Sequence, residues 1–317
     1  MRCLILYPGL MPNAKRNPRT PPSSQRNAPI QSTGPELVDP RWILKALGIV
    51  LFIALLLSWG TLCLLYYQGQ WQLVLHPSRT VAITPASLNL KFTDLRFADD
   101  ATGVPQLNGW LIPAAPADTL TPSAPTALLL HGADGSIADA LPRALTLHNS
   151  GLNVLLFDYR GYGRSVGHHP TEGAMQQDAE AALSWLIATQ HIPASQIILY
   201  GNGISASLAA TLAAQHRDIA AIILDAPDGD LAGRVIHDPH SSLVPAGLLF
   251  HETFPLAEPL SKLTTPKLLI SYTSSTPATL ANAADPKVTL ELPSRSDSKL
   301  TDAIQRFLDQ YVTHTTH

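Results

Sequence analysis

From residue 46 to residue 67 the chain runs for 22 residues without a charge, and Leu, Ile, Val and Ala dominate the stretch. As a helix it would cover roughly 33 Å at about 1.5 Å rise per residue, enough for a bilayer core of about 30 Å. A helix that packs on a soluble core keeps a polar stripe, and this one has none. Trp42 at one end and Tyr66, Tyr67 and Trp71 at the other stand where interfacial aromatics belong, and Lys45 can snorkel outward. The run exceeds the roughly 7 to 15 residues of a signal-peptide core and no small-x-small site follows it, which argues against cleavage. Leu62 before Cys63 argues against lipid attachment. The expectation is one transmembrane helix over residues 42–67.

The flanks orient it. Arg2, Lys15, Arg16, Arg19, Arg26 and Arg41 precede the span, whereas Arg79 alone follows closely, so the positive-inside rule places the N-terminus in the cytoplasm and exports the rest. Residues 1–41 hold eight prolines among Asn and Ser, a composition that predicts a disordered tail, and Met11 is an alternative start. The expected location is a cell inner membrane with the C-terminal domain in the periplasm. With 21 basic and 24 acidic residues, no basic field exists to hold a phosphate backbone, so nucleic acid is not an expected partner. Two cysteines, Cys3 and Cys63, make neither a disulfide framework nor a CxxC metal site. No metal or cofactor is expected.

Beyond residue 67 short apolar runs alternate with longer helical stretches. Strands are predicted at 107–113, 126–130, 153–157, 196–200, 220–224, 267–271 and 288–292, and helices at 137–148, 171–188, 204–215 and 298–312. Such alternation means an α/β fold, a mostly parallel sheet with helices on both faces, over residues 68–317, with a short cap segment around 228–262. Ligands in these sheets bind at the carboxyl ends of the strands.

At those ends the sequence reads ALLLHGADG, with His131, Gly132 and Ala133 after one strand, and LLFDYRGYG, ending in Gly163, after the next. Together with QWQLVLHPSR after the apolar helix, these segments resemble the α/β-hydrolase superfamily, in particular its small serine hydrolases with a membrane-anchoring N-terminal helix. The resemblance implies that the HG turn offers the Ala133 N–H to an oxyanion and that DYRGYG is structural. It also implies a nucleophile elbow G-x-S-x-G. Here the strand IILY runs into Gly201-Asn202-Gly203-Ile204-Ser205, and Gly203 stands where the serine is expected. Glycine relieves the strain of that position and removes the attacking atom.

The other two catalytic positions implied by the family are also altered. After KLLI the chain reads Ser271-Tyr272-Thr273-Ser274-Ser275-Thr276 without a carboxylate, and Asp297 stands where the histidine base belongs. A shifted elbow, G-I-S-A-S, would make Ser205 the nucleophile. A relocated triad would take Asp225 or Asp228 from DAPDGD as acid and His237, His240 or His251 as base. His237-Asp238-Pro239-His240 lacks a third metal ligand, His168 and His169 fall in a turn, and His314 and His317 fall in the C-terminal tail.

The expectation is a membrane-anchored α/β-hydrolase-fold protein that no longer catalyses and serves as a binding or scaffolding module for an unknown small-molecule or protein partner. An active serine hydrolase for esters, acyl groups or peptides is one alternative, and a carrier of lipids or small ligands another. A pocket mouth is expected at His131, Gly132, Ala133, Gly203 and Ile204, with Asp225 and Asp228 beside it and the N–H groups of Ala133 and Ile204 in one cavity.

Overall fold

Alternation of period two sends neighbouring side chains of a strand to opposite faces, so a strand apolar at every position must be covered twice. Thr126–Leu130 and Asn153–Asp158 are buried at every residue, and this sets the architecture. The computed structural model describes residues 39–114, 119–229, 231–272, 278–292 and 297–312. The tail expected over residues 1–41 falls almost wholly outside the described residues, as do 273–277 and 293–296, in the turns where the triad acid and base were sought.

One sheet of eight strands carries the fold. In chain order they are β1 (Thr93–Asp99), β2 (Pro105–Ile112), β3 (Thr126–Leu130), β4 (Asn153–Asp158), β5 (Ile197–Asn202), β6 (Ala221–Asp225), β7 (Lys267–Ser271) and β8 (Lys287–Glu291). Their spatial order is β8-β7-β6-β5-β3-β4-β2-β1. β2 runs antiparallel to β1 and to β4, and the other pairings are parallel. β1 went unread in the sequence: it is an edge strand whose alternation is short, Leu95 and Phe97 turned to the core between the exposed Asp94 and Arg96. A second pairing, His76–Pro77 with Asp134–Gly135, ties the segment after the apolar helix to the turn after β3.

Helices are α1 (Pro40–Gly69), α2 (Leu141–Asn149), α3 (Glu172–Ala188), α4 (Ser205–Gln215), α5 (Leu231–Ile236), α6 (Ala246–Leu249), α7 (Ala257–Lys262), α8 (Ala278–Ala281) and α9 (Asp297–Tyr311). The helix expected at 137–148 opens instead as a 3-10 turn, Ile137–Ala140. Ser136 caps that turn with its Oγ accepting from the Ala138 N–H, and Asp139 accepts from the Ser136 N–H. Leu128, Leu130, Leu155 and Phe157 pack with α3 and α4, while Ala127, Leu129, Val154 and Leu156 pack with α2 and α9, one face each.

The chain divides within α1 into two units, Met1–Ala54 and Leu55–His317. α1 is apolar on every side, buries no residue, and is long and apolar enough to cross a membrane. The sheet, its covering helices and the short helices α5 to α7 all belong to the second unit.

Candidate functional site at the carboxyl edge of the sheet

The turn between β5 and α4 is shaped by close approach. A Cβ on Gly201 would lie 2.6 Å from the Ser205 carbonyl oxygen, so only glycine lets helix and strand meet there. Gly203 sits at φ +59°, the left-handed conformation, with its N–H donating to the Asp225 carbonyl at 3.0 Å. A Cβ built on Gly203 meets nothing within 4 Å. The elbow keeps its backbone and has free space where a side chain would stand.

That space belongs to a cavity of about 710 Å³. His131, Gly132, Ala133, Asn202, Gly203 and Ile204 line one part of it, and Asp139, Arg143, Asp228 and Arg234 line another. Neither the Ala133 N–H nor the Ile204 N–H meets an acceptor among the described residues. Two main-chain donors bordering one cavity suit a carbonyl or carboxylate oxygen.

His131 is 2% exposed and packs against the rings of Tyr159 and Tyr162, 4.6 and 4.9 Å away between centroids. Its Nδ1 donates to the Gly132 carbonyl at 2.9 Å, and its Nε2 has no partner among the described residues. Burial holds its pKa down to about 4, so the ring is neutral at ordinary pH. Burial also raises the phenols of Tyr159 and Tyr162 above their usual range.

Ser205 is fully buried beneath the cavity and is not among the residues that line it. Its hydroxyl donates to the His131 carbonyl and accepts from the Tyr159 hydroxyl at 3.1 Å, joining α4 to the ends of β3 and β4. Asp225 is also fully buried and does not line the cavity. Its Oδ2 accepts from the Tyr200 hydroxyl at 2.6 Å and faces Arg143 Nε at 2.7 Å, and Arg143 in turn donates to the Tyr272 hydroxyl at 3.0 Å. A carboxylate held by a guanidinium in a dry site is paired, and removing either partner would strand the other charge. Arg143, which sequence reasoning passed over, therefore anchors this edge of the cavity, and its place in the helix after the HG turn was the available signal.

Asp228 lines the cavity and pairs with Arg234 of α5. His237 bonds the Gly233 carbonyl at 2.7 Å, and His251 bonds Gln70, so neither borders the cavity. His240 falls in the 3-10 turn Pro239–Leu243, and His169 stacks on Trp71 at 5.3 Å. The backbone of Asp297 begins α9. His314 and His317 lie outside the described residues. Among the described residues no group of three or more metal-binding side chains occurs.

The profile of the family described as serine aminopeptidase, S33, matches residues 122–316. An uncharacterized protein of Mycobacterium tuberculosis is 32% identical over 283 residues, covering 84% of this chain and 96% of its own. Protein bem46 of Schizosaccharomyces pombe is 30% identical over 193 residues, 58% of this chain and 60% of its own. Among solved structures, an esterase of Pyrococcus furiosus superposes with a TM-score of 0.59 at 21% identity, over 75% of this chain and 98% of the esterase. That likeness is one of fold.

Proposed function

Because the chain belongs to the serine aminopeptidase S33 family of α/β-hydrolases, we propose that it is a membrane-anchored member that binds without catalysing. The observation that carries this is Gly203, an elbow residue at φ +59° with open space instead of a hydroxyl. Acyl transfer needs a nucleophile, a base within hydrogen-bond reach and a group that orients the base. Here the elbow has no oxygen. Among the described residues His131 is the histidine that lines the cavity, and burial holds its pKa down to about 4, so it is a weak base. Asp225, whose main-chain carbonyl accepts from the Gly203 N–H, is held by Arg143, and Asp228 pairs with Arg234.

What survives is recognition. The N–H groups of Ala133 and Ile204 receive a carbonyl or carboxylate oxygen of a small ligand, and Arg143, Arg234, Asp139 and Asp228 make the far wall polar. α1 anchors the domain, with the N-terminus cytoplasmic and the cavity on the exported side, by the charge asymmetry of its flanks. An active hydrolase is the competing reading, favoured by the family and by the esterase among its structural neighbours.

Treatment of the purified protein with a fluorophosphonate probe, followed by peptide mass spectrometry, separates the two. No adduct is expected. A stoichiometric adduct on Ser205 or any other serine would overturn the noncatalytic reading. A periplasmic phosphatase fused after Thr313 should be active, and activity only of a cytoplasmic reporter there would reverse the orientation.

A further inference from the structure

The half of α1 that belongs to the second unit does not stand clear of the domain. The Trp59 indole N–H donates to the Leu243 carbonyl at 3.2 Å, and the Tyr66 hydroxyl lies 3.4 Å from Ser241 Oγ. One turn on, Gln70 Nε2 donates to the Leu249 carbonyl at 3.1 Å, and Gln70 Oε1 accepts from the His251 N–H at 2.7 Å. The ring of Tyr67 packs on that of His251 at 4.9 Å. From Trp59 to Gln70, about three turns, the chain thus runs beside residues 241–251.

Residues 241–250 read SSLVPAGLLF and contain no charge. Two of their leucines are turned outward, Leu243 at 69% and Leu248 at 84% exposure. The helix beside them is as exposed and as apolar: Leu55, Leu62, Leu65 and Trp59 itself are uncovered. A single exposed leucine on a soluble surface means little, but an uncharged segment hydrogen-bonded along an all-apolar helix is a continuous patch.

We propose that residues 241–250 rest in the interfacial zone of the bilayer that α1 crosses, with Leu243 and Leu248 inserted at the boundary between headgroups and acyl chains. This rests on the membrane-anchored reading. The occupant follows from three observations. The patch continues the surface of the helix that lipid would surround. The Leu243 carbonyl, which lipid could not satisfy, is already bonded to an indole. That indole places a tryptophan, the residue suited to an interface, at the contact. Trp42 and Trp59 are separated by about 26 Å of helix at 1.5 Å per residue, close to a bilayer core of about 27 to 30 Å. The helix therefore leaves the membrane between Trp59 and Gln70, the stretch along which residues 241–251 lie beside it.

The test uses the full chain with Cys3→Ser and Cys63→Ser, reconstituted in phosphatidylethanolamine and phosphatidylglycerol vesicles. Single cysteines are introduced as Leu243→Cys, Leu248→Cys, Val104→Cys as the exposed control and Leu47→Cys within the span. Each site is assayed for reaction with a charged maleimide and for quenching of an attached bimane by headgroup-level lipid spin labels. Leu243→Cys and Leu248→Cys should react at least tenfold more slowly than Val104→Cys and be quenched by the lipid label. If Leu47→Cys is protected while both leucine sites match Val104→Cys, the docking is wrong and the anchor stands. If Leu47→Cys also reacts freely, anchor and docking fall together. Protection without lipid quenching, accompanied by cross-linking between two Leu248→Cys chains, would give the face to a second copy and overturn the proposal.

Discussion

Two glycines at the carboxyl edge of the sheet have the same handedness for opposite reasons. Gly163, in the loop after β4, has φ +41°, and a Cβ there would fall 1.9 Å from the Asp158 carboxylate. Gly203, in the turn after β5, has φ +59°, and a Cβ there would touch nothing. The first is glycine because the space is taken. The second has its space kept open by a backbone that still follows the course of a nucleophile elbow. Asp158 explains the first case: it is fully buried, accepts from the N–H groups of Ile137 at 2.8 Å and Arg164 at 3.3 Å, and so pins two loops to one strand end. Nothing comparable fills the space at Gly203.

The largest expected effect is at the crowded glycine. Gly163→Ala combines left-handed strain with a collision against a buried carboxylate, and urea unfolding should show a loss of about 3 to 5 kcal/mol. A loss below about 1 kcal/mol would erase the contrast between the two turns.

The two regions also titrate with opposite sign. His131, held down to about 4 by burial, contributes stability that is present above the ordinary histidine pKa of 6.5 and is lost as pH falls through 4. Asp158, pushed up to about 6 by burial, contributes stability present below 3.8 that is lost as pH rises through 6. Each is worth roughly 3 kcal/mol, and between pH 6 and 4 they offset one another. Asp158→Asn removes one side, so the variant should lose up to about 3 kcal/mol more than the wild type when acidified from pH 6.5 to 4. Equal acid slopes in thermal melts would show that one of these groups is solvated.

Ser205→Ala should cost about 1 to 3 kcal/mol, because it leaves the His131 carbonyl and the Tyr159 hydroxyl without their partner in a dry site. A variant as stable as the wild type would mean that the buried hydroxyl is replaced by water.

Smallest is Gly203→Ser, with no collision to pay for and only the left-handed backbone, about 1 to 2 kcal/mol. It should leave ester hydrolysis at background, since His131, the histidine that shares the cavity among the described residues, is held by burial to a pKa of about 4 and is a weak base. Hydrolysis that appears in Gly203→Ser and disappears on adding His131→Ala would identify His131 as a competent base and sharpen the difference between the two turns into a catalytic one.

Much of this was readable locally. Periodicity located β2 to β8 in outline because each strand's burial is written in its own consecutive residues, and the missing elbow oxygen is legible because the turn is five contiguous positions, Gly201 to Ser205. The HG turn and the DYRGYG loop were legible in the same way. Edge strand β1 was not, since one side of it faces solvent and its alternation is only two apolar residues long, Leu95 and Phe97. The helical stretch at 137–148 was placed correctly but its first turn was not, because the Ser136 and Asp139 cap tightens it to 3-10 geometry.

What the sequence determines by itself is therefore what depends on neighbours in the chain: an apolar helix long enough for a bilayer, an α/β alternation, and an elbow without its hydroxyl. Tertiary structure alone decided which chemical groups meet. Asp225 lies 82 positions from the Arg143 that neutralises it, Ser205 lies 74 from the carbonyl it bonds, and His251 lies 181 from Gln70. Such partners are chosen by strand order and by which face a helix covers, and a side chain's availability for chemistry follows from burial and pairing, which no local pattern records.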